Sequence, residues 1–276
     1  MTTGGSFMQN QQPSTLKEIR VHGTQDFPCA FYQTGTRIKG NMVKHHWHEE
    51  VELLYFSGGE FCLEVNMERF SISEECFYFI NPGELHSISV EKNGGCVENA
   101  VVFHMDMLSS AYALDQIQTN LIQPVQNGSI QFPRCLRKNE PAFELVRKSY
   151  EEIRNVFGGD SFRENYYDGE AVTDDITRQL FIKSTLLRIL AVLSANNLFE
   201  VTEKNHDHRI ETIKTTLTYI QENYKEKIYI RDLAGLIGMN EQYFCRFFKK
   251  VIGRSPMEYV NEYRICLLYT SPSPRD

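Results

Sequence analysis

The rhythm of apolar and polar positions changes three times along the chain. Residues 1–16 are polar for the most part. From about 17 to 108, short runs rich in aromatic and β-branched residues (EVELLYF, FCLEV, CFYFI, CVENAVVF) are separated by turn signals at Gly58-Gly59, Asn81-Pro82-Gly83 and Asn93-Gly94-Gly95. Several short strands at this spacing predict an all-β barrel or sandwich. From about 139 the period becomes helical. Phe143, Val146, Tyr150, Ile153 and Phe157 mark one amphipathic helix, and Ile176, Leu180, Ile182, Leu186, Ile189 and Val192 mark a second. The polar stretch GGDSFRENYYDGEAV between them reads as a loop. The stripe from Ile176 to Leu193 suits either a helix–helix interface or packing on the barrel. Residues 200–209 are polar and read as an interdomain linker. Beyond them, Ile213, Leu217, Ile220 and Tyr224 line one face of another helix.

Residues 229–260 carry a more specific pattern. Leu233, Ala234 and Ile237 form the inner face of a short helix, and Gly238 supplies the permissive backbone of a tight turn. Asn240 is placed to cap the next helix, which points Phe244, Phe247, Phe248 and Val251 inward and ends at Gly253. Ser255-Pro256-Met257-Glu258 is a capping box with proline at the first helical position. The outer face of the second helix holds Asn240, Glu241, Gln242, Tyr243, Cys245, Arg246, Lys249 and Lys250. A short helix, a glycine turn and a basic second helix form the layout of a DNA-reading helix-turn-helix. A helical bundle with a solvated charged face gives the same spacing.

Composition changes this picture only in places. The 276 residues suffice for two domains, and 41% hydrophobic with 24% charged is ordinary globular usage. The net charge of −7 argues against a nucleic-acid binder until it is divided. Residues 207–265 carry ten basic and eight acidic side chains, or +2, against −9 for the remainder. Seven scattered cysteines with no CxxC pair fit reduced thiols rather than a disulfide framework. The start of the chain lacks a signal-peptide pattern, and the apolar stretch near Leu186–Leu193 is interrupted by Arg188, so a cytoplasmic protein with no membrane span is expected.

The order YIQENY, DLA, FCRFFKKVIG, SPMEYVNEYR resembles the AraC/XylS family of bacterial transcription regulators. The resemblance implies that Gln242, Cys245 and Arg246 occupy base-contacting positions and that Lys249 and Lys250 lie on the phosphate side. Asn240 and Tyr243 belong to the same candidate DNA surface. Arginine and glutamine can make paired contacts to guanine and adenine, whereas cysteine reads bases poorly. Tyr229 stands where the family usually has a Ser or Thr cap. The family joins two helix-turn-helix units through a long helix. Here that helix is expected to run from Met257 to about Ile265, and CLLYTSPSPRD then reads as a foreign tail on a truncated chain.

Gly40-x5-His46-x-His48-x3-Glu52-x6-Gly59 resembles the first motif of the cupin superfamily, and Gly83-x-x-His86 keeps part of the second. The usual Asn four residues after that histidine is Val90. His46, His48 and Glu52 share parity, so on one strand they face the same side, and a later strand can bring His86 alongside. Three imidazoles and a carboxylate suit several transition metals. Three readings stand: a metal-dependent cupin enzyme, a metal-free pocket for a polar small molecule, and hydrogen-bonded structural residues. Trp47 has the opposite parity and reads as packing. His45 and His104 read as structural, and Glu49 and Glu50 as solvated.

The expected architecture is α+β multidomain. A cupin-like barrel (17–108) precedes a helical dimerisation segment (109–199), a linker (200–209), an all-α helix-turn-helix (210–265) and the tail (266–276). The resemblance implies a non-enzymatic one-component regulator, commonly an activator. Its partners are promoter DNA, RNA polymerase, a second copy of itself as a homodimer, and a small-molecule effector of sugar or related metabolite type. It requires no cofactor, while the barrel allows a divalent metal. The alternative is a metal-dependent cupin enzyme with a helical extension.

Overall fold

The computed structural model describes residues 17–18, 21–36, 39–93, 96–112, 114–158, 175–202 and 208–270. The chain divides into two compact units, one of Ile19–Asn205 and one built around His206–Asp276. The loop predicted between the two middle helices lies largely outside the described residues, as does the end of the tail.

Nine of the strands of the first unit form two sheets. A five-stranded sheet runs in the order β1 (Cys29–Thr36), β8 (Cys96–Phe103), β3 (Val51–Phe56), β6 (Cys76–Ile80), β10 (Cys135–Arg137). A four-stranded sheet runs β2 (Gly40–His46), β7 (His86–Val90), β4 (Phe61–Val65), β5 (Glu68–Ile72). All their pairings are antiparallel. Leu54, Phe56, Phe61, Leu63, Val65, Tyr78, Ile80, Ile88, Val90, Ala100 and Val102 fill the space between the sheets. This is the predicted barrel, and β10 extends its sheet with residues well beyond 108.

The outer face of the larger sheet is buried as well. Phe31, Val51, Leu53, Phe77, Phe79, Val101 and Phe103 pack with Phe143, Val146, Tyr150 and Ile153 of α2 (Phe143–Val156) and with Ile182, Leu186, Ile189 and Leu193 of α3 (Ile176–Ala195). Strands covered on both sides read as continuous apolar runs rather than alternating ones, which is why VELLYF and CFYFI show little period two. All five marker residues of α2 are buried. Those of α3 divide: Ile182, Leu186 and Ile189 are buried, whereas Ile176 and Leu180 are 73% and 62% exposed. The stripe therefore holds two faces, and only one of them packs on the barrel. A short α1 (Gln123–Gln126) precedes β9 (Ile130–Gln131), which pairs with β11 (Glu200–Val201). Part of the segment read as a linker is thus strand. Residues 203–207 lie outside the described ones, and α4 starts at His208.

In the second unit, α4 (His208–Asn223), α5 (Ile230–Leu236), α6 (Glu241–Ile252) and α7 (Pro256–Thr270) follow one another. Ile213, Leu217 and Ile220 are buried. Arg264 Nε donates to the Tyr224 carbonyl at 2.8 Å, answering the C-terminal carbonyls of α4. The expected end of α7 near Ile265 is corrected, because the helix continues through Cys266 to Thr270. Leu267 and Leu268 are good helix formers, and the prolines that oppose helix come only at Pro272 and Pro274.

One inward position of the barrel is a carboxyl. Glu98 shares its face of β8 with Ala100 and Val102, is 2% exposed, and its Oε1 has no hydrogen-bond partner among the described residues. Burial pushes its pKa well above the ordinary value of 4.5, and the charge of Glu52 adds to the rise. The folded state then binds more protons than the unfolded state between the two values. Stability from this group is complete below about 4.5 and falls as pH rises toward the folded value. Glu98→Gln is expected to raise the melting temperature at about pH 8 and leave it unchanged near pH 4. A melting temperature lowered at both pH values would contradict this. Leu186→Ala is expected to cost about 3 kcal/mol in urea unfolding, since it opens a cavity between α3 and the sheet.

Candidate functional site

Parity on one strand does not assemble the cupin-type residues. His46 ends β2, His48 lies in the bend that follows, Glu52 is the second residue of β3, and His86 opens β7. The register pairs His46 with His86, and their ring centroids are 4.1 Å apart. His48 reaches the same place from the bend, 5.2 Å from His86. Glu52 lies in register with Ile80 and Val102, so its carboxylate points into the barrel mouth. One ligand atom from each of the four lies within 4.8 Å of the others.

The turns determine which nitrogen faces inward. The Nδ1 atoms of His46, His48 and His86 contact the carbonyls of Lys44, Glu50 and Glu84 at 2.9, 3.2 and 2.9 Å. A carbonyl accepts only, so each Nδ1 carries its proton and donates, which fixes the tautomer. Nε2 is then the acceptor and turns toward Glu52. His86 Nε2 and Glu52 Oε2 are buried and 3.0 Å apart, and among the described residues neither meets another group in hydrogen-bond geometry. Both present lone pairs unless a proton or a cation intervenes. Burial alone would raise the Glu52 pKa, but with a proton between the groups hydrogen bonding and charge from His48 and His86 outweigh it and hold the carboxyl well below the usual range. Three imidazoles, each held through Nδ1 by a backbone carbonyl, and one carboxylate fit a divalent cation.

The motif containing His86 has its own support. Pro82 and Gly83, the latter at φ 77°, form the centre of a turn closed by Glu84 N–H donating to the Asn81 carbonyl at 3.1 Å. This is the type II pattern, which needs a residue tolerant of positive φ at its third position. Val90, in place of the usual Asn, is buried in the barrel interior. Trp47 is packed, 8% exposed. His45 has partners that the sequence did not reveal, Glu64 and Ser87, both at 3.3 Å. His104 accepts from the Asp106 N–H at 3.2 Å and caps a short 3-10 turn.

The second candidate surface is α6. Asn240 accepts from the Tyr243 N–H at 2.8 Å, and Gly253 ends the helix at φ 81°. Phe244, Phe248 and Val251 are buried, so the opposite side is held outward. Gln242, Tyr243, Arg246, Lys249 and Lys250 are exposed there, and Cys245 is half-buried. Phe247, expected inward, is only partly covered and stacks on Tyr243 at 6.5 Å. The capping box at Ser255 and Glu258 is formed in both directions. Tyr229 gives no side-chain cap to α5. Asp232 accepts its N–H at 3.0 Å instead, while Lys227 and Arg231 lie over its ring.

Sequence reasoning missed Glu98 and the polar group of Asn81, Glu84 and Arg134. Glu98 was discoverable, since it occupies an inward position in the alternation of CVENAVVF. Arg134 was not, since nothing local ties it to residue 84.

Two family models match the chain, one in each unit. The family described as AraC-like ligand binding domain matches residues 34–164. The family described as bacterial regulatory helix-turn-helix proteins, AraC family, matches residues 220–261. A relative named as the uncharacterized HTH-type transcriptional regulator YdeC of Bacillus subtilis (strain 168) is 26% identical over 258 residues, covering 91% of this chain and 80% of its own. Among solved structures, ToxT from Vibrio cholerae strain SCE256 is 12% identical with a TM-score of 0.39, covering 91% of this chain and 84% of that one. The AraC-like transcriptional activator CuxR is 10% identical with a TM-score of 0.36, covering 90% and 79%. The enzyme alternative falls away, because the matched families and the relative are those of regulators. No helix among the described residues is long and apolar enough to cross a membrane. With a cupin-like ligand-binding unit followed by a helix-turn-helix, the chain belongs to the AraC family of DNA-binding transcription regulators.

Proposed function

We propose that this regulator senses an oxygen-rich small molecule, of sugar or related metabolite type, at His46, His48, Glu52 and His86, and that this changes its hold on promoter DNA. The observation that carries the reading is the meeting of acceptors at the barrel mouth, His86 Nε2 against Glu52 Oε2 at 3.0 Å. Such a site calls for donors, and sugar hydroxyls supply them. A second reading makes a divalent cation the effector or the effector's anchor. The span of 4.8 Å across all four ligand atoms favours it. When bound, such a cation supplies Lewis acidity and open coordination positions for ligand oxygens.

On the DNA side, α6 is the reading helix. Gln242 and Arg246 lie one turn apart and face base edges, while Lys249 and Lys250 in the last turn face phosphates. Asn240, Tyr243 and Cys245 complete the surface. The chain acts as a homodimer in this proposal, with Ile176, Leu180 and Leu187 of α3 as the self-complementary stripe; they are 73%, 62% and 41% exposed. Activation through RNA polymerase is the mode the family suggests. The effector must bind one state better than another, since equal affinity shifts nothing.

Arg246→Ala is expected to weaken binding to the gene's own upstream DNA by about 10- to 100-fold and to relax base preference. Lys249→Ala and Lys250→Ala should weaken binding to all sequences and each lower the salt slope by about one. Electrophoretic mobility shifts at several salt concentrations separate the two effects, and an Arg246→Ala protein with unchanged specificity would refute the assignment. For the sensor, calorimetry with Zn2+ and with a panel of sugars decides between the readings. The cation reading expects one Zn2+ per chain, lost in His48→Ala/His86→Ala and weakening in acid, where protons compete for the ligand atoms. Sugar binding without Zn2+ supports the first reading, and no binding of either removes both. Leu180→Glu/Leu187→Glu is expected to convert a dimer to a monomer in sedimentation equilibrium.

A further inference from the structure

The turn that carries His86 is fastened to more than the barrel. Gly83 N–H donates to the His48 carbonyl at 2.7 Å, and His86 Nδ1–H donates to the Glu84 carbonyl. The turn is therefore held directly by two of the four cluster residues. On its other side, the Glu84 carboxylate is 6% exposed and fully engaged. Its Oε2 accepts from the Asn81 N–H at 2.8 Å and from Arg134 Nη1 at 2.7 Å. Its Oε1 accepts from Asn66 Nδ2 at 3.2 Å and from Arg134 Nη2. Arg134 Nη1 also donates to the Phe79 carbonyl at 2.7 Å. Asn81 Oδ1 in turn accepts the Phe132 N–H at 2.8 Å.

Residues 132 and 134 directly follow β9. The Phe132 ring stacks on Phe79 at 5.4 Å and meets Phe199 edge-on at 5.2 Å. Phe199 immediately precedes β11, whose Glu200 and Val201 pair with Gln131 and Ile130. Thr202 then donates from its N–H to the Ser129 carbonyl and from Oγ1 to the Gly128 carbonyl. This is the last described segment before the chain passes to the unit that contains the helix-turn-helix. A ribbon of two residues per strand, with Glu200 and Val201 exposed, depends on these flanking contacts and is of the kind that opens locally.

We propose that Asn81, Glu84 and Arg134 are positioning residues that couple the His46/His48/Glu52/His86 cluster to the β9–β11 ribbon, so that effector occupancy controls how firmly the exit strand is held. The inference rests on the sensing role proposed above for that cluster. Engagement of His86 Nε2 polarises its ring, strengthens the Nδ1–H bond to the Glu84 carbonyl and steadies the turn. A steadier turn fixes Arg134 and the Phe132 N–H, and these fix the strand that β11 pairs with. The ribbon, paired or frayed, is the two-state element such coupling needs. The buried ion pair suits this task. Its charges leave Arg134 no other low-energy position near the turn, where an apolar contact could slide.

A ligand-independent test is hydrogen exchange by mass spectrometry on the full chain in four forms. These are wild type, His86→Ala, Glu84→Gln/Arg134→Met, and the triple variant. Peptides of α2 report any general loss of stability. His86→Ala is expected to speed exchange at Glu200–Thr202 by about fivefold in the wild-type background and by no factor in the Glu84→Gln/Arg134→Met background. Where the charge-altered pair does not fold, Asn81→Ala, which removes the acceptor for Phe132 and leaves Glu84 paired with Arg134, should abolish the His86 effect, and an undiminished effect would overturn the coupling. Equal acceleration in both backgrounds, or none in either, would overturn the coupling. A second arm adds Zn2+ alone to each form. If Zn2+ slows ribbon exchange only where Glu84 and Arg134 are intact, the coupling is supported with a cation as ligand. Zn2+ binding to every form with no effect on the ribbon would overturn it. An intact His86 effect with no Zn2+ binding supports the coupling and removes only the cation reading.

Discussion

A sheet buried on both of its faces organises the first unit. β3, β6 and β8 must satisfy the barrel interior with one set of side chains and the helices α2 and α3 with the other. Register is tightly specified under that condition, because a slip of one residue would exchange the two sets. Fixed register is what places Glu52, the one acidic member of the cluster, beside Ile80 and Val102 at the barrel mouth. It also places Glu98 inward, four residues along β8 from Val102, where no partner reaches its Oε1. The same packing that builds a rigid frame thus strands two carboxyls inside it, with opposite consequences. Glu52 has imidazoles to hold it ionised, and Glu98 has only burial, which favours its neutral form.

The cluster shows how backbone geometry can tune side-chain chemistry. Three histidines each give the Nδ1 proton to a carbonyl two residues away in sequence. Their remaining nitrogens are acceptors by default and are brought face to face with a carboxylate. Burial makes such a meeting costly unless something positive or proton-bearing lies between. In the proposed sensor that cost is useful, because a ligand that relieves it gains differential affinity for the assembled state.

The two functional surfaces use opposite strategies. In the barrel, polar groups are withdrawn from water and held by second-layer contacts. On α6 the residues proposed to read DNA stand in solvent, and the helix is oriented by Phe244 and Phe248 beneath them. Caps at both ends, Asn240 and Gly253, fix where the helix begins and stops. The basic side chains therefore sit at defined positions along a surface that otherwise carries little net charge. Such a surface meets DNA by local complementarity rather than by a strong overall field.

The sequence by itself determined the elements whose signals are local. The caps, the glycine turn and the inward Phe244 and Phe248 of α6 are short-range patterns with a direct physical cause, and they lie where spacing put them, while Phe247 is only partly covered. The residues 46, 48, 52 and 86 were legible as a set, but not their assembly. Three strands and the segment between β2 and β3 bring them together, where parity had put three on one strand. Only the tertiary structure decided which face of α3 is covered, since Ile176 and Leu186 look alike until a sheet lies against one of them. It alone joined Arg134 to Glu84 and returned Glu200 and Val201 to pair beside β9. Those contacts span tens of residues, and a chain can encode them only through the folded arrangement that brings their partners within reach.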